Sequence, residues 1–237
     1  TLEIVKLLIE NNADVNASDV DGGTALMSVV SRPNPNHLAI VKLLIEHKAN
    51  VNAKFKGKES YHPNFYSEGD TPLLIACTGY NIHGVSLLPI IQFLIKSGAD
   101  INMKNAFGET PLYRVIKNSS KGEIFELVKF FLVNKADINA KITSNGYGNS
   151  GNVYKGETAF LFAVMFANSK LVKLLIENGA DINDKDHWGV SALMHASQIG
   201  HLDITKLLIE NNADVNAKDL DGNSALIHAS DIKYNGS

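Results

Sequence analysis

Apolar residues recur along the chain in two alternating helical spacings that repeat together as a block. In the block beginning at Ser191, Leu193, Met194 and Ala196 share one face of a helix. After Gly200 a second set, Leu202, Ile204, Leu207 and Leu208, does the same. The spacing predicts a short, small-residue helix over about 192–199 and a second over about 202–211. Gly200 falls between them, where glycine can take the positive φ that ends a helix. Asp214-Val215-Asn216 and Asp219-Leu220-Asp221-Gly222 then supply turn-forming residues before the next Ser224-Ala225-Leu226, and predict a tight hairpin projecting from the helix pair. A hydroxyl stands ahead of each first helix, as at Thr110, Thr158 and Ser224, where it can accept from free backbone N–H groups. Pro72 and Pro111 follow Thr71 and Thr110 at the favoured first helical position.

The block is periodic. Thr158, Ser191 and Ser224 are 33 residues apart, whereas Thr24, Thr71, Thr110 and Thr158 are separated by 47, 39 and 48. A repeat of roughly 20–50 residues is the signature of a solenoid. Helices of about three turns are marginal alone in water, so each must bury its stripe against the equivalent helices of its neighbours. The extra length lies in inter-helix turns at Arg32–Asn36 and Tyr80–Gly84 and in two hairpin inserts, Phe55–Ser67 and Lys141–Lys155. The second insert is rich in Gly, Asn and Ser and is expected to be mobile; both are expected to be dispensable for folding, because loop length costs stability only logarithmically. The chain reads as one domain with a partial repeat at 1–18, repeats at about 19–65, 66–104, 105–152, 153–185 and 186–218, and a partial repeat at 219–237.

These blocks resemble ankyrin repeats. The family pattern, D-x-x-G-x-T-P-L-x-x-A, a helix, then L-L-x-x-G-A-D-x-N, is matched in six places. The cleanest are Asp186, Gly189, Ser191-Ala192-Leu193 and Ala196, and Leu174-Leu175 with Gly179-Ala180-Asp181-Ile182-Asn183. Ala25, Ala159, Ala192 and Ala225 replace the usual Pro; Asn12, Lys48, Lys135 and Asn212 replace the usual Gly, where Asn tolerates the left-handed conformation better than Lys. The resemblance implies an all-α solenoid of helix pairs with projecting hairpins, two of them enlarged. It also implies a module that binds a partner protein through a concave groove and hairpin tips, without catalysis. The alternative is the targeting arm of a larger enzyme or effector whose catalytic domain lies elsewhere. The helix over 1–10 lacks a first helix ahead of it, which reads as sequence removed upstream or as a fragment. A monomer is expected, with pairing of such uncapped ends as the route to a dimer.

Composition narrows the picture. A net charge of −3 carries no electrostatic footprint for nucleic acid. The single cysteine, Cys77, excludes an intrachain disulfide and suits a reducing, cytoplasmic-type compartment. The longest apolar run, Ala159–Ala167, is too short to cross a bilayer, so no membrane insertion is expected. His195 and His228 sit at matching positions, too sparse for a metal site, and are expected to hydrogen-bond from repeat to repeat. No nucleophile–base pair, phosphate loop or paired-carboxylate signature is evident, so no catalytic residue, cofactor or metal is expected.

Candidate partner-binding residues are the aromatic and apolar side chains at tip and groove positions. Phe107 and Trp188 stand three residues before Thr110 and Ser191, at the hairpin tip. Met165-Phe166 and the matching Gln198-Ile199 stand on the groove side of the first helices, where earlier repeats carry Thr78-Gly79 and Lys117-Asn118. The inserts add Tyr61, Phe65, Tyr66, Tyr147 and Tyr154.

Overall fold

Hydroxyl caps close five of the first helices in the computed structural model, which describes residues 2–31, 36–57, 66–78, 87–117, 124–148 and 151–230. The Oγ1 of Thr24, Thr71, Thr110 and Thr158 accepts from the N–H three residues on, at 3.2–3.3 Å, and Ser191 Oγ accepts from Met194. The first helices are α2 (Ala25–Val30), α4 (Pro72–Thr78), α6 (Pro111–Lys117), α8 (Ala159–Met165), α10 (Ala192–Ile199) and α12 (Ala225–Ser230). The second helices are α1 (Leu2–Glu10), α3 (His37–Glu46), α5 (Leu88–Lys96), α7 (Phe125–Val133), α9 (Ser169–Glu177) and α11 (Leu202–Glu210). Successive first helices stack on one another from α2 to α12, and each second helix from α3 to α11 packs beside the first helix before it.

The two rows bury different amounts of side chain, which explains their composition. Every residue of α8 from Ala159 to Val164 is buried, because α6 and α10 flank it and α9 covers it. Small and aliphatic residues are what such a site admits. The second helix α9 instead buries Leu171, Val172, Leu174 and Leu175 and leaves Lys173 and Glu177 exposed. Gly200 has φ 79° and ends α10, as expected. Asn12, Lys48, Lys135 and Asn212 have φ between 64° and 68°, so non-glycine residues occupy the left-handed position after four second helices.

Asparagine joins the repeats. Asn16 Nδ2 donates to the Lys48 carbonyl at 3.0 Å while its Oδ1 accepts from the Asn50 N–H at 2.7 Å. Asn52, Asn102, Asn139 and Asn183 make the same pair of bonds to the following repeat. The hairpins are stitched too: Lys56, Ala106, Thr143, His187 and Leu220 each donate a backbone N–H to a carbonyl of the preceding hairpin. Glycine makes this approach feasible. A Cβ on Gly156, at φ 85°, would lie 2.7 Å from the His187 nitrogen.

The inserts depart from expectation. Within the second, β1 (Gly146–Gly148) pairs antiparallel with β2 (Gly151–Val153) in the register Gly146 with Val153. Both inserts are rooted in the core: Phe55, Tyr66 and Ser67 are buried at the ends of the first, and Ile142 at the start of the second. Excising either insert whole would remove core side chains, which corrects the expectation that both are dispensable. Residues 32–35, 58–65 and 79–86 lie outside the described residues, and with them most of the two expanded inter-helix turns and the middle of the first insert.

Candidate functional site

The hairpin turns are knotted by one side chain each. Asp186 Oδ1 accepts from the N–H groups of Trp188 and Val190, both at 2.9 Å, and Asp19, Asn105 and Asp219 make the equivalent pair in their own turns. The second oxygen of Asp186 meets His195 Nε2 at 3.1 Å, and that of Asp219 meets His228 Nε2 at 2.9 Å. Each histidine therefore bonds nine residues back, into the turn of its own repeat and not into the next one, a correction of the expected repeat-to-repeat bond. In these two repeats the pair fixes the hairpin over the first helix. Among the described residues no group of three His, Cys, Asp or Glu side chains is arranged to hold a metal ion.

These pairs give the molecule an acid-sensitive element. Burial pushes the Asp186 carboxyl upward, but the bonds from His195, Val190 and Trp188 outweigh it and hold the group below its ordinary value of 3.8. A folded-state value below the unfolded one means a contribution to stability that is complete above 3.8 and is lost as pH falls through the folded value. The stability difference between the native chain and His195→Gln is accordingly expected to narrow as pH falls below 3.8, measured by thermal melts across an acid series. A difference that stays constant would show that the pair does not act through the Asp186 charge.

The structure distributes the candidate recognition residues unevenly. Trp188 is 48% exposed although its backbone belongs to the hairpin ladder; its ring centroid lies 5.4 Å from that of Tyr154 and 3.5 Å from that of His187. Tyr154 is half-buried. Phe166 is 60% exposed and stacks on buried Phe162 at 4.4 Å, which in turn meets Tyr113 edge-on at 5.7 Å. Ile199 is 41% exposed, and Met165 and Gln198 are half-buried. The tip and groove sets thus each hold an outward aromatic backed by a second ring. Phe107, at the tip position of Trp188, is half-buried and packs against the core.

Tyr66 is a correction. Its ring is 2% exposed, lies edge-on to Phe55 at 5.2 Å, and its hydroxyl donates to the Met27 carbonyl at 3.1 Å. It is a core residue and offers nothing to a partner. Tyr61 and Phe65 lie outside the described residues; Tyr147 lies on β1, opposite Asn152 in the ladder.

A buried ionic network escaped the sequence reading. Arg114, 2% exposed, donates from Nη1 to Asp70 at 2.8 Å and to Thr78 at 3.0 Å, and from Nε and Nη2 to Glu109 at 2.9 and 2.6 Å. Asn105 Nδ2 bonds both carboxylates, and Lys117 pairs with the other oxygen of Glu109 at 3.2 Å. One repeat further on, the Tyr113 hydroxyl donates to Glu157 at 2.7 Å. Burial raises Glu109, but Arg114 and Lys117 overcome it and hold the carboxyl below its usual range. Glu157, without an arginine, is raised by burial. Burial also drives the Cys77 thiol far upward, so it stays protonated and unreactive. Two sequence signals could have exposed the network: Asp70, Glu109 and Glu157 each directly precede a cap threonine, and Arg114 stands where the later repeats carry His195 and His228.

Comparison with known proteins matches this geometry. A family description of ankyrin repeats (3 copies) matches residues 1–55, 84–186 and 160–234. The chain is 50% identical over 50 residues to an ankyrin repeat protein of fowlpox virus (strain NVSL), covering 21% of this chain and 18% of that one. It is 31% identical over 129 residues to an ankyrin repeat protein of Rickettsia bellii (strain RML369-C), covering 53% and 33%. The rat transient receptor potential cation channel subfamily V member 6 is 26% identical over 156 residues, covering 51% and 20%. The chain thus spans at most a third of the length of these relatives. In fold it resembles the ankyrin repeat domain of Bcl-3, a member of the IkappaB family (TM-score 0.71, 23% identity, covering 96% of this chain and 87% of that one). It also resembles that of human ASB11 (TM-score 0.69, 22% identity, 98% and 88%).

Proposed function

The chain belongs to the ankyrin-repeat family, and from that premise we propose that it recognises a partner protein through the hairpin tips and groove-side helix ends around α8 and α10. Ankyrin-repeat domains are in general protein-interaction modules and typically carry no catalytic centre. The observation that carries the assignment is the exposure of Trp188 and Phe166, each backed by a further ring on a rigid element. Large aromatics left in water on a preorganised surface are what interface anchors require. No helix among the described residues is long and apolar enough to cross a membrane. The buried, protonated Cys77 suits a reducing compartment. A second reading makes the array the targeting arm of a larger enzyme or effector. The greater length of the matched relatives supports it, and the complete open reading frame decides it.

A photo-crosslinking amino acid at position 188, 166 or 199 should give adducts in native extract that excess native chain competes away and the Trp188→Ala chain does not. The same probe at Val133, 81% exposed on α7, should give none. Adducts confined to Val133 would sink the reading. Trp188→Ala itself should cost at most about 1 kcal/mol of stability, because half the ring already faces solvent. Partner affinity should fall at least about tenfold, roughly 1.4 kcal/mol. A stability loss above about 3 kcal/mol, the range for a buried aromatic, would make Trp188 a packing residue instead.

A further inference from the structure

The segment KLLIENNADVNA occurs twice, at residues 6–17 and at residues 206–217. The first begins within α1 and the second within α11. Their surroundings differ. Ile204 and Leu208 are 2% and 0% exposed where α11 packs beside α10 and α9, whereas Ile4 and Leu8, at the same positions of α1, are 63% and 55% exposed. The far end of the stack shows the complementary asymmetry. In α12, Leu226, His228, Ala229 and Ser230 repeat Leu193, His195, Ala196 and Ser197 of α10. Leu193 and Met194 are buried, but Leu226 and Ile227 at the matching places are exposed. One end of the array thus presents the apolar face of a second helix, and the other end that of a first helix.

The backbone at the same two ends stands in register for a further hairpin. A Cβ on Gly22, Gly69, Gly108, Gly156 or Gly189 would lie 2.7–3.2 Å from a backbone nitrogen of the next hairpin. Gly222 holds the same position at φ 84°, and among the described residues nothing lies within 4 Å of that point. The carbonyl just before each of the five glycines accepts the next hairpin's N–H, and Asp221 stands at that place in the sixth. In the first hairpin the fully exposed Val20 occupies the donor position of Ala106, His187 and Leu220. Asn216 continues the asparagine ladder, in which Asn183 bonds the Asn212 carbonyl and the Asp214 N–H. Asn12 and Asp14 are the same pair in the repeated segment, and Asn12 shares the left-handed conformation of Asn212, φ 64° against 67°.

We propose that copies of this chain stack head to tail, α1 of one copy docking beside α12 of another so that the two complete a repeat between them. Ile4 and Leu8 then take the buried places that Ile204 and Leu208 hold inside one chain, and α2 of the incoming copy lies over α12 as α12 lies over α10. Its Val20 N–H meets the Asp221 carbonyl, and Asn216 bonds its Asn12 carbonyl and Asp14 N–H. Nearest-neighbour contacts of this kind are what hold a solenoid together, and the docked copy continues them across a chain break. Other helix pairs of this type offer similar backbone groups. A second copy is favoured because its incoming segment is one that this chain already packs, residue for residue, against its own preceding repeat. The two faces differ, so the contact is heterologous: each pairing leaves one of each face free, and growth does not stop at two. The proposal stands apart from the recognition reading, since it uses neither the Trp188 nor the Phe166 ring.

The test is analytical ultracentrifugation of the chain over residues 1–237. Its weight-average mass should rise past that of two chains between about 5 and 500 μM. Leu8→Glu on the α1 face and Leu226→Glu on the α12 face each replace an exposed side chain and should melt like the native chain. Each alone should stay single where the native chain associates, because docking would bury an unpaired carboxylate. Mixed in equal amounts, the two should form a dimer of one chain of each kind and nothing larger, since only one intact pair of faces remains. Ala25→Glu, at the exposed start of α2, should behave as Leu8→Glu does, which separates loss of the contact from fraying of α1. Three results would overturn the proposal. The native chain stays single up to about 500 μM, which leaves both faces to flanking repeats of a longer polypeptide or to another protein. Leu8→Glu or Leu226→Glu self-associates like the native chain, which means that like faces pair. The equal mixture stays as single chains.

Discussion

Replacing Arg114 with methionine should remove about 3–5 kcal/mol from the stability of the array, measured by urea unfolding. Methionine fills much of the same volume, so the loss reports the charge and not a cavity. Without the guanidinium, Asp70 and Glu109 remain buried, each 1% exposed, facing one another across Asn105 with only Lys117 to offset Glu109. A carboxylate left buried without its counter-charge ionises only at high cost. The ordering of variants is diagnostic. Arg114→Met combined with Asp70→Asn and Glu109→Gln should recover part of the loss, because neutral amides need no counter-charge. A single-variant loss below about 1 kcal/mol would show that the network contributes nothing net. Since Asp70 belongs to one hairpin and Arg114 and Glu109 to the next repeat, the variant should also uncouple those repeats and broaden the transition.

The difference between what was legible and what was not follows from range. The helix over 192–199, the glycine that ends it and the hydroxyl caps depend on residues within four positions of one another, and sequence spacing encodes them directly. The left-handed Lys48 and Lys135 were legible for the same reason, since the repeat register says which conformation the position requires. The Arg114 guanidinium reaches Asp70 and Thr78, 44 and 36 positions away. The acids before the cap threonines and the register of Arg114 mark the positions but do not say which partners meet. The same holds for Asn16 and its successors, whose partners lie a whole repeat away. At the candidate site, tip and groove positions could be read off the register, but exposure could not. Trp188 and Phe107 share a position; one ring stays at the surface and the other turns to the core.

Tyr66 was misread because it sits in an insert, and its location there concealed its role. Counted back from Thr71, it occupies the position of Asn105, Asp186 and Asp219, at the root of the hairpin and not in the excursion. Tyr66→Ala should therefore cost about 3–5 kcal/mol, the range for an aromatic removed from a core, and Tyr66→Phe only about 1 kcal/mol for the bond to the Met27 carbonyl. The β1–β2 ribbon should behave in the opposite way. Gly146 and Val153 face each other across the ladder, so a short turn can replace residues 146–153 without moving their flanks, and an isolated two-stranded ribbon contributes little stability. That excision should stay within about 1 kcal/mol of the native chain in urea. A costly ribbon deletion beside a harmless Tyr66→Ala would invert the assignment, making the ribbon part of the core and the tyrosine part of the surface.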